Sequence, residues 1–163
     1  RRVEAMVAVR LPNRIRMEFS SGGGVEAVVI LNAERAWITR PPDRLVYGST
    51  AGELSERLLG VRVSANDLTA FLTGRQEFLT DWSAEGTDFS RGQTLRIRTT
   101  LHPQTGFPIA LEIHQQGKLQ ATFRWKQIRF NTDPDESAFI PPAWYAECDW
   151  ETITADSGLQ PMP

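Results

Sequence analysis

The side chains of this sequence that could carry acid-base, nucleophilic or metal chemistry are few and scattered. Cys148 is the only cysteine, and His102 and His114 are the only histidines. Neither imidazole stands at a metal-ligand spacing from the thiol, so a zinc site or a Cys-His nucleophile would need a coincidence of tertiary structure. A lone cysteine also rules out an internal disulfide. Asp88, Asp133, Asp135, Glu136 and His114 are the candidates for general acid-base work, and no spacing pairs them. Residues 131–137 are acidic, yet they lack the spaced oxygen ligands and the glycine of a calcium loop and read as a capped turn. No glycine-rich phosphate cradle or nucleophile elbow occurs. The residues point away from catalysis, and no metal or cofactor is expected.

At 163 residues the chain fits one domain, taken here as 1–150 with a C-terminal tail at 151–163. Its 18 Lys plus Arg against 20 Asp plus Glu give a formal charge of −2, which offers no general attraction to a phosphate backbone and disfavours nucleic acid as a partner. All the basic residues except Lys118 and Lys126 are arginine, a bias assigned to genome composition. No run approaches the 18 apolar residues of a membrane-spanning helix. The sequence opens Arg1-Arg2-Val3 without an initiator methionine, as a processed protein would, so any leader or lipid-bearing cysteine upstream falls outside it.

What the sequence does specify is burial, organised around residues 49–75, where the apolar spacing is helical. Thr50 and Glu53 form a capping box ahead of Leu54, Leu58 and Leu59, and Gly60 closes the helix. Ser64 and Asp67 repeat the device ahead of Leu68, Phe71 and Leu72, with Gly74 as the terminator. The expected helices are 51–59 and 66–73. Too short to bury their stripes on one another, they must lie on a sheet.

The remainder reads as strand. From Val7 to Phe19 the odd positions are apolar and the even ones mostly charged, predicting one long strand bent or unpaired at Pro12, which has no ladder donor. Strands over 25–31, 35–40 and 44–47 follow with links too short for crossover helices, which makes an antiparallel meander. Residues 83–92 read as a polar loop, 94–101 and 107–115 as a hairpin, and 118–130 as a strand with a bulge near Lys126-Gln127. The fold class is mainly β (α+β). A single antiparallel sheet with one apolar face and two short helices to cover it is expected to curl into a half-barrel with the helices over its concave side. Arg10, Arg14, Arg16, Arg96 and Arg98 should then face solvent.

The order of these motifs resembles the LolA/LolB superfamily of bacterial lipoprotein carriers and receptors, more closely its LolB-like branch. The resemblance is carried by Leu11-Pro12-Asn13-Arg14-Ile15-Arg16-Met17-Glu18, by the two capped helices with Ser64-Ala65-Asn66-Asp67-Leu68 and Leu72-Thr73-Gly74, and by Phe130 with Pro134-Asp135-Glu136-Ser137-Ala138-Phe139-Ile140-Pro141. It implies a curved half-barrel sheet, a helical lid, and the acyl chains of a lipid or lipoprotein as cargo. It also implies a bacterial cell-envelope location, at the periplasm or the periplasmic face of the outer membrane, and membrane contact through an upstream anchor. Another envelope carrier protein is an expected partner, and a monomer is the expected state. The cavity and lid residues are then Val9, Met17, Trp37, Leu54, Leu58, Phe71, Ile97, Leu111, Ile113, Phe123 and Trp125. The resemblance further marks the tip at Gly22 and Gly23 as a membrane-facing loop, although glycine stands there where the receptors carry an exposed leucine. Each cavity residue is equally a core residue. A structural or protein-binding envelope module with a filled core is therefore the alternative, followed by a small-molecule enzyme on the same fold.

Overall fold

The computed structural model describes residues 5–21, 24–128 and 134–155. In chain order the elements are β1 (Ala5–Arg10), β2 (Arg14–Ser21), β3 (Gly24–Asn32), β4 (Arg35–Arg40), β5 (Leu45–Thr50), α1 (Ala51–Leu59), α2 (Ala65–Thr73), β6 (Ser83–Glu85), β7 (Asp88–Arg91), β8 (Leu95–Leu101), β9 (Pro108–Gln115), β10 (Lys118–Arg124), β11 (Ala146–Glu147) and α3 (Trp150–Thr154). The chain is mainly β, with few helices, as its alternation requires.

The strands form two hydrogen-bonded sheets where a single one was expected. The first has the order β1-β2-β3-β4-β5-β11 and the second β10-β9-β8-β7-β6. α1 and α2 occupy the chain between β5 and β6, and among the described residues no ladder joins one sheet to the other. All pairs are antiparallel except β11, which runs parallel to β5 through Ala146↔Leu45 and Glu147↔Val46.

The long strand expected over Val7–Phe19 is a hairpin. β1 and β2 pair as Val7↔Met17 and Val9↔Ile15, with the reversal at residues 11–13, where the Leu11–Pro12 peptide is cis. Pro12 cannot donate to a ladder, so the pairing ends there. A turn of three residues keeps odd positions on one face of both strands, because directly opposed residues point the same way. The alternation is therefore identical for a bent strand and for this hairpin. The loop expected at 83–92 is also a hairpin, β6–β7, turning at Gly86 with φ 62°. The bulge expected near Lys126 lies instead between Leu119 and Ala121, and β10 ends at Arg124.

The inner faces of both sheets meet the helices in one core. Ile15, Met17, Val29, Leu31, Ala36 and Ile38 come from the first sheet, Leu54, Leu68 and Phe71 from the helices, and Ile97, Leu111 and Ile113 from the second sheet. A smaller cluster, Val28, Ile30 and Phe139, covers the outer face of β3, with Trp37 packed against it. Thus Val28 to Leu31 are all buried, because β3 has apolar neighbours on both sides. The segment carrying Phe139 also shields three of the arginines expected in solvent. Glu136 sits 3.0 Å from Arg14 and 3.5 Å from Arg10, and Arg16 donates to the Ala138 carbonyl at 2.9 Å. Arg96 and Arg98 are exposed as expected.

The tail expected from residue 151 is instead helical at its start, in α3. Asp149 caps α3 by accepting from the Thr152 N–H at 2.8 Å, and Ile153 is fully buried in the core. Arg40 donates to the Thr152 carbonyl at 3.3 Å and to that of Ala155, and it pairs with Asp43 at 2.6 Å. An apolar anchor and capped helix ends hold this turn on the sheet. Residues 156–163 lie outside the described residues.

Candidate lid and interior

Both helices assigned to the lid are fixed by local chemistry. The Thr50 hydroxyl accepts from the Glu53 N–H at 3.2 Å and the Glu53 carboxylate accepts in return from the Thr50 N–H at 3.4 Å. Ser64 and Asp67 make the same exchange at 3.0 and 3.4 Å. Gly60 and Gly74 close the helices at φ 69° and 71°, the left-handed region that glycine enters at little cost. At Gly74 a Cβ would also meet Pro108 at 3.0 Å, so the end of α2 reaches the start of β9 only because no side chain intervenes. The Ser55 hydroxyl accepts from the Val63 N–H at 2.9 Å and ties α1 to the linker before α2.

Two sets of side-chain contacts hold this helical pair to the sheets. Asp67 is 7 % exposed and its carboxylate accepts from Trp82 Nε1 at 3.0 Å and from Arg91 Nη1 at 2.9 Å. The Arg91 guanidinium lies 4.7 Å from the Trp82 ring centre, and Trp82 meets Phe71 edge-on at 5.0 Å, so charge, indole and phenyl are stacked in one joint between α2 and β7. At the other end Arg57 of α1 lies 4.9 Å from the Trp150 ring and 5.8 Å from that of Tyr47, which clasps the lid to α3 and β5. The spacing of Asp67 reveals only its capping role. Its partners lie 15 and 24 residues away, and no periodicity pairs them.

Most of the residues assigned to the lid and interior do meet there. Leu54, Ile97, Leu111 and Ile113 are fully buried, and Phe71 and Met17 nearly so. Val9, Leu58, Phe123 and Trp125 are partly buried against the same cluster. Trp37 does not join them. It opposes Ile30 on β3 and Gly48 on β5, and it lies on the outer face under the Arg35 guanidinium, 4.9 Å from the ring centre. On β4 the inward positions are Ala36 and Ile38, so a wide side chain at 37 falls on the opposite face by strand alternation. Gly22 and Gly23 lie outside the described residues.

Two clefts lie on the outer faces of the sheets. A cleft of about 430 Å³ opens on the outer face of the first sheet between Arg16, Glu18, Thr39 and Tyr145. Another of about 390 Å³ lies beside Arg96 and His114 on the second. Neither is lined by a residue assigned to the interior. One polar atom stands out within the lid itself. Thr69 of α2 is fully buried and its Oγ1 has no hydrogen-bond partner among the described residues.

No protein-family model and no curated protein matches this chain.

The candidate acid-base groups are not brought together. Asp88 pairs with Arg98 at 3.0 Å, His114 lies 3.4 Å from Glu112, and Glu136 is engaged with Arg14 on the other sheet. The Ser137 hydroxyl, together with the Ser137 N–H that donates to Asp135 at 2.8 Å, holds the Asp135 carboxyl below the usual range, and Asp133 lies outside the described residues. Burial pushes the Cys148 thiol up, with the Asp149 carboxylate adding to the rise. That makes it a poor nucleophile. Among the described residues no three His, Cys, Asp or Glu side chains converge as a metal site, and no helix is long and apolar enough to cross a membrane.

Proposed function

We propose that this domain is a non-enzymatic lipid or lipoprotein carrier of the bacterial cell envelope, similar to the LolB-like branch. Its two sheets act as the walls of an open half-barrel, and α1 and α2 form the lid that closes over an acyl chain. The observation that carries the reading is the placement of the lid. Two short capped helices separate the apolar faces of sheets that share no ladder among the described residues, so the inner surface opens without breaking β-sheet hydrogen bonds. The latches that would have to release are side-chain contacts at the lid ends, Asp67 with Arg91 and Arg57 with Trp150. An acyl chain of about twelve carbons offers roughly 10 kcal/mol of gross burial, at about 0.8 kcal/mol per methylene, to replace the contacts the lid gives up. The unpartnered Thr69 hydroxyl supplies a donor for an ester or amide carbonyl at the head of such a chain. In this reading the protein acts as a monomer, exchanges cargo with another envelope carrier, and is held at the membrane by an upstream anchor.

A second reading is favoured by a specific observation. Leu54, Ile97, Leu111 and Ile113 are all 0 % exposed, which is how a filled core looks. In that case the domain is a structural or protein-binding envelope module. Native mass spectrometry of protein purified from bacterial envelopes separates the two: a carrier retains lipid of discrete mass, and a filled core appears at the mass of the polypeptide alone.

A further inference from the structure

We infer that the loop around Ile140 and Trp144 is an interfacial contact for an anionic lipid surface. The inference rests on the envelope-carrier reading and extends it to a site on the outside of the first sheet. Ile140 is 55 % and Trp144 65 % exposed, two large apolar side chains within one short segment, Ile140-Pro141-Pro142-Ala143-Trp144-Tyr145. Their exposure is fixed by the backbone. Pro141 and Pro142 lock their φ angles, the Tyr145 N–H donates to the Pro142 carbonyl at 3.1 Å, and the Ala146 N–H donates to the Arg44 carbonyl at 2.8 Å. Such a segment loses little conformational entropy when a surface takes it up.

The chemistry beside these side chains selects the surface. The Arg44 guanidinium lies 5.3 Å from the Trp144 ring centre and forms no ion pair with a carboxylate among the described residues. An indole with an adjacent cation, flanked by one aliphatic side chain, matches the headgroup level of a bilayer, where tryptophan rests and arginine meets lipid phosphate. Two large side chains fall well short of the roughly 800 Å² per partner of a stable protein interface, but an indole, an aliphatic side chain and an adjacent cation are enough for a weak, measurable partition onto an anionic bilayer.

The position fits this task. β11 pairs Ala146 with Leu45, so Trp144 lies beside the β4–β5 turn, and the antiparallel register Val28↔Thr39 puts that turn at the same end of the sheet as the β2–β3 tip. Trp144 thus stands at the end of the first sheet where the β4–β5 turn is.

The test is co-sedimentation of the full chain with phosphatidylglycerol-containing and with pure phosphatidylcholine vesicles. Wild type is expected to bind the anionic vesicles. Trp144→Ala should lower the partition coefficient about tenfold, Trp144→Ala with Ile140→Ser should lower it further, and Arg44→Ala should lower it about fivefold on anionic vesicles only. All these side chains are on the surface, so thermal melts should match wild type and show that the variants are folded. Absence of wild-type binding, or equal binding by the double variant, overturns the inference. Lipid retained by the double variant in native mass spectrometry leaves the carrier reading standing whatever the vesicles report.

Discussion

Asp67→Ala tests how the lid is held. The wild-type carboxylate accepts from Arg91, from the Trp82 indole and from the backbone at Ser64, and it is 7 % exposed. Losing a first-turn acidic charge and half of a capping box costs about 0.5–1 kcal/mol. The bond to Arg91 would count for more if fully buried, but its guanidinium side is 32 % exposed, so about 1 kcal/mol is appropriate. The stranded indole N–H adds about 1 kcal/mol. A loss of roughly 2–3 kcal/mol corresponds to a melting temperature about 5–10 °C lower in a domain of this size. Circular dichroism melts of Asp67→Ala, Arg91→Ala and the double variant would measure it, with the double variant losing less than the two singles together. A melting temperature for Asp67→Ala equal to wild type, or strict additivity in the cycle, would refute the claim that this carboxylate latches α2 to β7.

Other perturbations follow from the same contacts. Thr69→Val removes a buried hydroxyl that has no partner, so the melting temperature should rise by a few degrees, for about 1 kcal/mol, while lipid retention in native mass spectrometry falls; a lower melting temperature would mean the hydroxyl is satisfied. The Asp149 carboxyl is held below the usual carboxylate range by its bonds to Thr152. A depressed acid contributes stability above its unfolded value and loses it as pH falls through the folded one, so acid should loosen α3, and Asp149→Asn should flatten the acid limb of a stability-pH profile. An unchanged acid limb in that variant would discount the cap.

What the sequence made legible was local, and what it hid was long-range. The helices at 51–59 and 65–73 follow from cap residues and glycines a few positions apart, which act whatever the rest of the chain does. The strand at Val7–Phe19 was read in the correct phase but with the wrong topology, because a turn of three residues preserves that phase. Trp37 was assigned to the interior because hydrophobicity marks burial and not the face. The outer face of β3 turns out to be covered by Phe139, more than a hundred residues away. The same distance hides the shielding of Arg14 by Glu136 and the anchoring of α3 through Ile153. The exposure of Trp144 is hidden for a related reason: an apolar residue in a loop carries no signal of whether a partner surface exists.

The central claim, that the helices and sheets part to admit an acyl chain, is tested most directly by titrating the protein with a fluorescent long-chain fatty acid. Phe71→Glu is unsuitable as a control, since its ring packs on Phe89 at 5.2 Å as well as on Trp82 and a charge there would unfold the domain. Leu58→Glu is better, because Leu58 is only partly buried at the lid. Wild type should take up the probe saturably at one per chain, and Leu58→Glu should keep its fold by circular dichroism and lose the uptake. Folded wild-type protein that takes up no probe would contradict the account and leave the interior a filled core.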